Sequence, residues 1–188
     1  MTTEIERVDF NDRVEYRLNG LRHRVDGPAV EFADGDKEWF LHGKLHRTDG
    51  PAIERVDGAK FWYLNGKKHR TDGPAREVVN GFKEWYLDGE RHREEGPAIQ
   101  WANGSQEWYL NGLCHRTDGP AVEWVNGDKE WWLNGLRHRT DGPAVESAVG
   151  DKEWWIKGKK VSKEEVDEFR CQLFQKALIN NRRSYKYF

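Results

Sequence analysis

Apolar and polar positions alternate along this chain in short bursts rather than in helical runs, and the whole pattern returns every 23 residues. In residues 119–141, "GPAVEWVNGDKEWWLNGLRHRTD", the stretches "AVEWV" and "EWWL" are rich in β-branched and aromatic side chains. The "NGDK" between them is hairpin-turn chemistry. A four-residue loop over 126–129 sets Trp124 opposite Trp131 and Val122 opposite Leu133, favourable cross-strand pairs. A two-residue Asn-Gly loop would instead set Glu123 against Glu130, so the longer loop is expected. In either register Val122, Trp124, Trp131 and Leu133 share one face, and Ala121, Glu123, Val125, Glu130 and Trp132 share the other. Asn134-Gly135 ends the second strand, and "LRHR" leads as a connector to Asp141-Gly142-Pro143. Proline cannot donate to a ladder, so the next strand begins just beyond it.

The columns of this unit keep their beat along the chain. Trp39, Trp62, Trp85, Trp108, Trp131 and Trp154 form one, with Tyr16 ahead of them. Leu18, Leu41, Leu64, Leu87, Leu110, Leu133 and Ile156 form another. Gly27-Pro28 through Gly142-Pro143 accounts for all six prolines. A fixed period of this size marks a repeat array. The expected fold is all-β: an elongated, twisted antiparallel meander of about seven stacked hairpins with a C-terminal helical cap. Residues 1–18 form a degenerate capping hairpin turning at Asn11-Asp12, and 19–161 carry the repeats. Residues 162–188 hold a capping helix and the basic, aromatic tail "NNRRSYKYF". Ser162 with Glu165 is a capping box. Val166, Phe169, Leu173, Phe174, Ala177 and Leu178 make one apolar stripe, expected to lie on the last hairpin and cover its open edge.

Composition changes this picture in one respect. Charged residues make up 34% of the chain, too many for a large central core, yet 10 Trp, 6 Tyr and 8 Phe are too many for disorder. A thin structure with much surface per residue reconciles the two. Acids and bases nearly cancel, 33 against 31, and alternate, which leaves no electrostatic footprint for nucleic acid or an anionic membrane. Cys114 and Cys171 occupy unrelated positions and suggest neither a disulfide framework nor zinc spacing. The N-terminal "MTTEIERVDF" lacks a signal-peptide pattern, and no apolar run is long enough to span a bilayer. A cytoplasmic setting is expected.

Candidate chemistry lies in the phrase "HRTDGPA" and its variants, at His23, His46, His69, His92, His115 and His138, with Asp26, Asp49, Asp72, Asp118 and Asp141 three residues on. No nucleophile recurs beside them, since the Thr column is broken by Val25 and Glu94. One His and one Asp per unit also fall short of a metal site. The phrase therefore reads as architecture, with no catalytic residue, metal or cofactor expected. Asp before Gly makes a turn, Gly takes a φ other residues dislike, and Pro sets the next strand. The His ring is flat enough to stack on its equivalent in the next unit and to bond backbone on either side, and Arg pairs with Glu31, Glu54, Glu77, Glu123 or Glu146.

The 23-residue period, the "W-x-L-N-G-x-x-H" core and the Asn/Asp-Gly turns resemble MORN repeats. The full "WYLNG–HRTDGPA–NG–KEW" pattern is most similar to MORN-like proteins of bacteriophages and giant viruses. The departure is that His-Arg-x-Asp-Gly-Pro-Ala stands where MORN units have His-Gly-x-Gly. The resemblance covers about residues 10–165 and implies a hairpin array used as a binding or scaffolding surface, with no reaction. Choline- and glucan-binding wall repeats are similarly short and aromatic, but the absence of a signal peptide counts against them. The expected function is a non-enzymatic, phage-like interaction protein binding a protein partner along one face, with homo-oligomerisation left open. The alternative is a small-ligand binder holding a glycan, choline-like cation or nucleotide between aromatic residues of adjacent repeats. The expected partner site is an exposed apolar patch of Trp101 and Trp124, with Ile99 and Val122 beside them. The strand column they belong to also accepts Arg55 and Ser147.

Overall fold

The computed structural model describes residues 4–184, with side chains described through Ile179. The chain is an all-β array of antiparallel hairpins followed by one helix, Lys163–Ser184. It divides into two compact units. The first runs through Gly104 and includes Tyr109–Gly112; the second comprises Ser105–Trp108 and the chain from Leu113 on.

In the first unit the main sheet runs in chain order from Glu6–Asp9 and Arg13–Leu18 through Val30–Phe32, Lys37–Glu38, Ile53–Glu54, Lys60–Phe61, Arg76–Glu77 and Lys83–Glu84 to Ile99–Gln100. In the second it runs from Gln106–Glu107 through Val122–Glu123, Lys129–Glu130 and Val145–Glu146 to Lys152–Ile156 and Lys159–Val161. Each strand pairs antiparallel with its neighbour in the sheet, as a meander requires. The first hairpin turns at Asn11-Asp12, where the Phe10 N–H donates to the Arg13 carbonyl at 2.8 Å.

The register differs from expectation. Val122 faces Glu130 and Glu123 faces Lys129, while the Trp124 N–H donates to the Asp128 carbonyl at 2.9 Å. The loop is thus three residues, Val125-Asn126-Gly127, closed by Gly127 N–H to Trp124 carbonyl at 2.9 Å. Gly127 sits at φ +96°, the left-handed position that ends a type I turn with a bulge and matches the twist of the flanking strands. Asn126 contributes its side-chain oxygen to the Asp128 N–H at 3.1 Å. This register sets Glu123 against Lys129 and so avoids the like-charge clash by a route other than the four-residue loop.

The second strand also stops early. Trp131 leaves the main sheet, and Trp132–Leu133 pairs with Leu136–Arg137 in a second, tighter hairpin. Its turn, Asn134-Gly135, has φ values of +50° and +76°, the type I′ geometry that favours Asn-Gly. The "LRHR" segment is therefore half strand rather than plain connector, and each repeat contains two hairpins. Ala29, Ala52, Ala75, Ala98, Ala121 and Ala144 are all fully buried. The carbonyls of Ala52 and Ala144 accept the N–H of Trp39 and Trp131 from the preceding repeat at 2.8 Å.

The helix begins as expected, with Ser162 Oγ accepting the Glu165 N–H at 3.2 Å and Glu165 accepting the Ser162 N–H at 2.7 Å. Only its first turns sit on the last repeat. Val166 is buried, and the Phe169 ring meets His138 edge-on at 6.4 Å. Leu173, Phe174 and Leu178 are exposed, so the apolar stripe outruns the surface it covers. Residues 185–188 of the tail, and the side chains of 180–184, lie outside the described residues.

Candidate functional site

The repeated phrase is organised around its arginine. In each copy the guanidinium lies over the aromatic ring eight residues earlier: Arg24 over Tyr16 at 3.9 Å, Arg47 over Trp39 at 4.1 Å, Arg139 over Trp131 at 3.8 Å. Its edges are spoken for. Arg47 donates to Asp49 at 2.9 Å, to the Pro51 carbonyl at 3.2 Å and to Glu54 at 2.8 Å. The expected Arg–Glu pairs are all present, Arg24–Glu31, Arg70–Glu77, Arg116–Glu123 and Arg139–Glu146 at 2.9–3.0 Å. The cation–π contact was not anticipated, although an Arg beside every one of the six histidines was its signal.

The glycine of Asp-Gly-Pro has a different purpose from the one expected. Gly27, Gly50, Gly73, Gly119 and Gly142 are absent from the positive-φ set; of this column only Gly96 adopts it, at +106°. What the position excludes is bulk. A Cβ on Gly50 would stand 3.0 Å from the Arg47 Cζ, and on Gly73 2.8 Å from the Arg70 Cζ. Glycine lets the guanidinium lie flat on the backbone.

The histidines bond to backbone rather than stacking on their equivalents. Each Nδ1 accepts the N–H of the first residue of the type I′ turn one repeat on: His42 for His23 at 3.1 Å, Asn65 for His46 at 3.2 Å, and likewise Asp88, Asn111, Asn134 and Lys157 for His69, His92, His115 and His138. The His23 ring does meet another ring, but it is that of His42, at 4.3 Å. At His46, His69, His92 and His115 the same Nδ1 also lies 2.8–2.9 Å from a side-chain oxygen of that turn residue. Burial, reinforced by His42, lowers the His23 pKa; burial, reinforced by Lys157, lowers that of His138. Of the paired aspartates, Asp26, Asp49, Asp72, Asp118 and Asp141 are all pulled below the usual carboxylate range by hydrogen bonds from their arginines.

Between successive phrases the surface is recessed. The recess between residues 24–27 and 46–49 has a floor of Trp39 and Leu41 and a volume of about 430 Å³. Equivalents follow over Trp62 and Trp85 in the first unit, and another lies over Trp131 in the second.

At the far end of the main-sheet strands stand the three-residue hairpin tips, and their chemistry is apolar. Val56 and Val79 are each 70% exposed, and in the second unit Val125 is 65% exposed. Trp101 in the first unit and Trp124 in the second are each 40% exposed, with Trp101 tilted against Phe82 at 5.0 Å. Ile99 and Val122 do not join them at the surface: both are buried. Adjacent strand residues point to opposite faces, and Ala121 and Val122 are both covered, so burial follows distance from the tip rather than choice of face.

Elsewhere, Glu15 is fully buried among Arg13, Arg17 and Arg22 at 2.7 Å each. Burial opposes its ionisation, but hydrogen bonds from Arg22, Arg13 and Arg17 outweigh it and hold the carboxyl at about 2. Burial, with Glu107 and Glu130 nearby, pushes the Cys114 thiol up to about 12, far from a reactive thiolate. No helix among the described residues is long and apolar enough to cross a membrane. No protein-family model matches the chain, and no curated protein matches it.

Proposed function

We propose that this chain is a non-enzymatic interaction scaffold of MORN-like repeats, phage-like in pattern, that binds a protein partner along its hairpin tips. One observation carries the reading. Valine occupies the first position of the three-residue tip at Val56, Val79 and Val125 and is largely exposed at each. Turn positions favour Gly, Asn, Asp, Ser and Pro, each for a local reason that valine does not share. The array itself accepts Ala33, Ala102 and Ala148 in the same column, so its folding does not require valine there. Exposed valine at three tips, with half-exposed Trp101 and Trp124 in the column before them, is the apolar centre of an interface for a partner.

The test is a two-site serine variant, Val56→Ser with Val79→Ser, alongside Trp124→Ser in the second unit. Each is used as bait in parallel with the unaltered chain. The expected result is an unchanged melting curve with loss of a protein that the unaltered chain retains. Equal capture by all variants would place the partner elsewhere.

A further inference from the structure

The recesses between successive phrases are a second surface, and their chemistry differs from that of the tips. In the first one Asp26 and Asp49 border the rim with Thr48, His46 stands beside them, and Trp39 and Leu41 form the floor. The rim carboxylates are exposed, 80% for both Asp26 and Asp49. The histidine Nδ1 is committed to the next turn, which leaves Nε2 as the free ring nitrogen. In the third recess the Nε2 of His92 lies 4.0 Å from a carboxylate oxygen of Glu94, itself a lining residue, so this nitrogen points toward the rim.

Each recess therefore offers a carboxylate acceptor, an imidazole nitrogen, a hydroxyl that both donates and accepts, and an aromatic and aliphatic floor. Its guanidinium is already committed, because Arg47 is shared between Asp49 and Glu54. An anion would find no unbalanced cation at this site, and a cation would compete with the guanidinium for Asp49. Vicinal hydroxyls above the C–H face of a ring satisfy the whole set.

The recesses also come in a row. Those over Trp39, Trp62 and Trp85 share their borders, Asp49 serving the first two and Asp72 the second two. Successive recesses are two strands apart, about 9.6 Å at ordinary strand spacing. That step is close to the length of two sugar rings in an extended chain.

We propose that this row binds a neutral, extended polysaccharide, one pair of sugar rings to each repeat. The sites are not equal. In the third recess Glu94 and Glu95 replace the Thr and Asp of the others, which makes it the poorest subsite.

The test is calorimetric titration of the full chain with β-1,4-linked glucose oligomers and with β-1,4-linked N-acetylglucosamine oligomers, each from disaccharide to hexasaccharide. One series is expected to bind with affinity rising at each added ring pair, as linked subsites dictate. Asp49→Ala removes a carboxylate from two recesses and should weaken the hexasaccharide by roughly tenfold, the effect of one or two lost hydrogen bonds. The Arg47–Asp49 pair is exposed on the aspartate side, so this change costs the fold little. The double change Glu94→Thr with Glu95→Asp restores the common pattern and should tighten the hexasaccharide. No binding of either series at millimolar concentration, affinity independent of length, or an unaltered affinity in Asp49→Ala would each overturn the proposal. The tip variants lie at the opposite end of the strands, so failure of the protein-partner reading leaves this result untouched.

Discussion

The guanidinium of Arg47 lies 4.1 Å above the centre of the Trp39 ring while its edge is shared among Asp49, Glu54 and the Pro51 carbonyl. One side chain thus joins the indole of its repeat, the loop that follows it and the next strand. A point charge cannot do this. Lysine has neither the planar face nor the fork of donors. Arg47→Lys is expected to lower stability by about 1–2 kcal/mol, nearly as much as Arg47→Ala, by chemical denaturation. Full tolerance of lysine would show that charge alone suffices.

Acid should weaken the fold in two steps. The His23 and His138 pKa values are lowered, so their contribution is complete above the unfolded value of 6.5 and declines as pH falls below it. Glu15 is lowered from 4.5 to about 2, and Glu84 is lowered as well. Their contribution is present above 4.5 and disappears as pH falls toward the folded values. Melting temperature should therefore decrease from neutral pH downward, without a rise at any stage. Glu15→Gln should flatten the acidic limb.

Neighbouring repeats meet through a pair of columns whose residues differ from one interface to the next. Asp36 accepts Arg55 Nη1 and also the Val56 N–H at 2.7 Å. At a later interface Ser105 Oγ accepts the Val125 N–H at 3.0 Å, with Trp124 in the place of Arg55. Asp36→Ala removes both bonds and should cost on the order of 2 kcal/mol. Replacing Asp36 by Ser and Arg55 by Trp together should recover most of it. A double variant no better than Asp36→Ala would show that the pairs are not interchangeable units.

Helix substitutions should divide sharply by position. Val166→Asp places a charge where the side chain is buried and should cost about 3 kcal/mol. Phe174→Ser, at a position 66% exposed, should leave the melting curve within experimental error. A large loss at Phe174 would mean that this part of the stripe is covered after all.

The type I′ turn supplies a stabilising change. Lys157 occupies a left-handed position, φ +50°, where Asn65, Asn111 and Asn134 stand in other repeats. Asparagine adopts this conformation with less strain, so Lys157→Asn should raise stability by roughly 0.5–1 kcal/mol. A lower melting temperature would show that the Lys157 contact with the Phe169 ring, 5.8 Å away, outweighs the backbone gain.

The repeat period, the antiparallel hairpins, the Asn11-Asp12 turn, the capping box at Ser162 and the Arg–Glu pairs were all legible in the sequence. Each is a local matter, fixed by residues close together in the chain or by a column repeated six times. The fold class follows from the same columns. What tertiary structure decided was where one strand stops and how deep each residue lies. Trp131 could have continued the strand by pattern alone, but its N–H is taken by Ala144 of the next repeat, and the chain beyond it pairs in a separate hairpin. In the folded array Ile99 and Val122 are buried while Trp101 and Trp124 are half exposed, a distinction that alternation along a strand cannot express. The glycine of Asp-Gly-Pro read as a conformational requirement and proved to be a steric one, because only the folded loop brings Arg47 onto its backbone. The histidines were expected to stack or to bond backbone, and only the laying of one repeat on the next selects a backbone N–H one repeat away as the partner. Periodicity encodes which residues recur; burial, close approach and long-range hydrogen bonds are set only when one repeat is laid against the next.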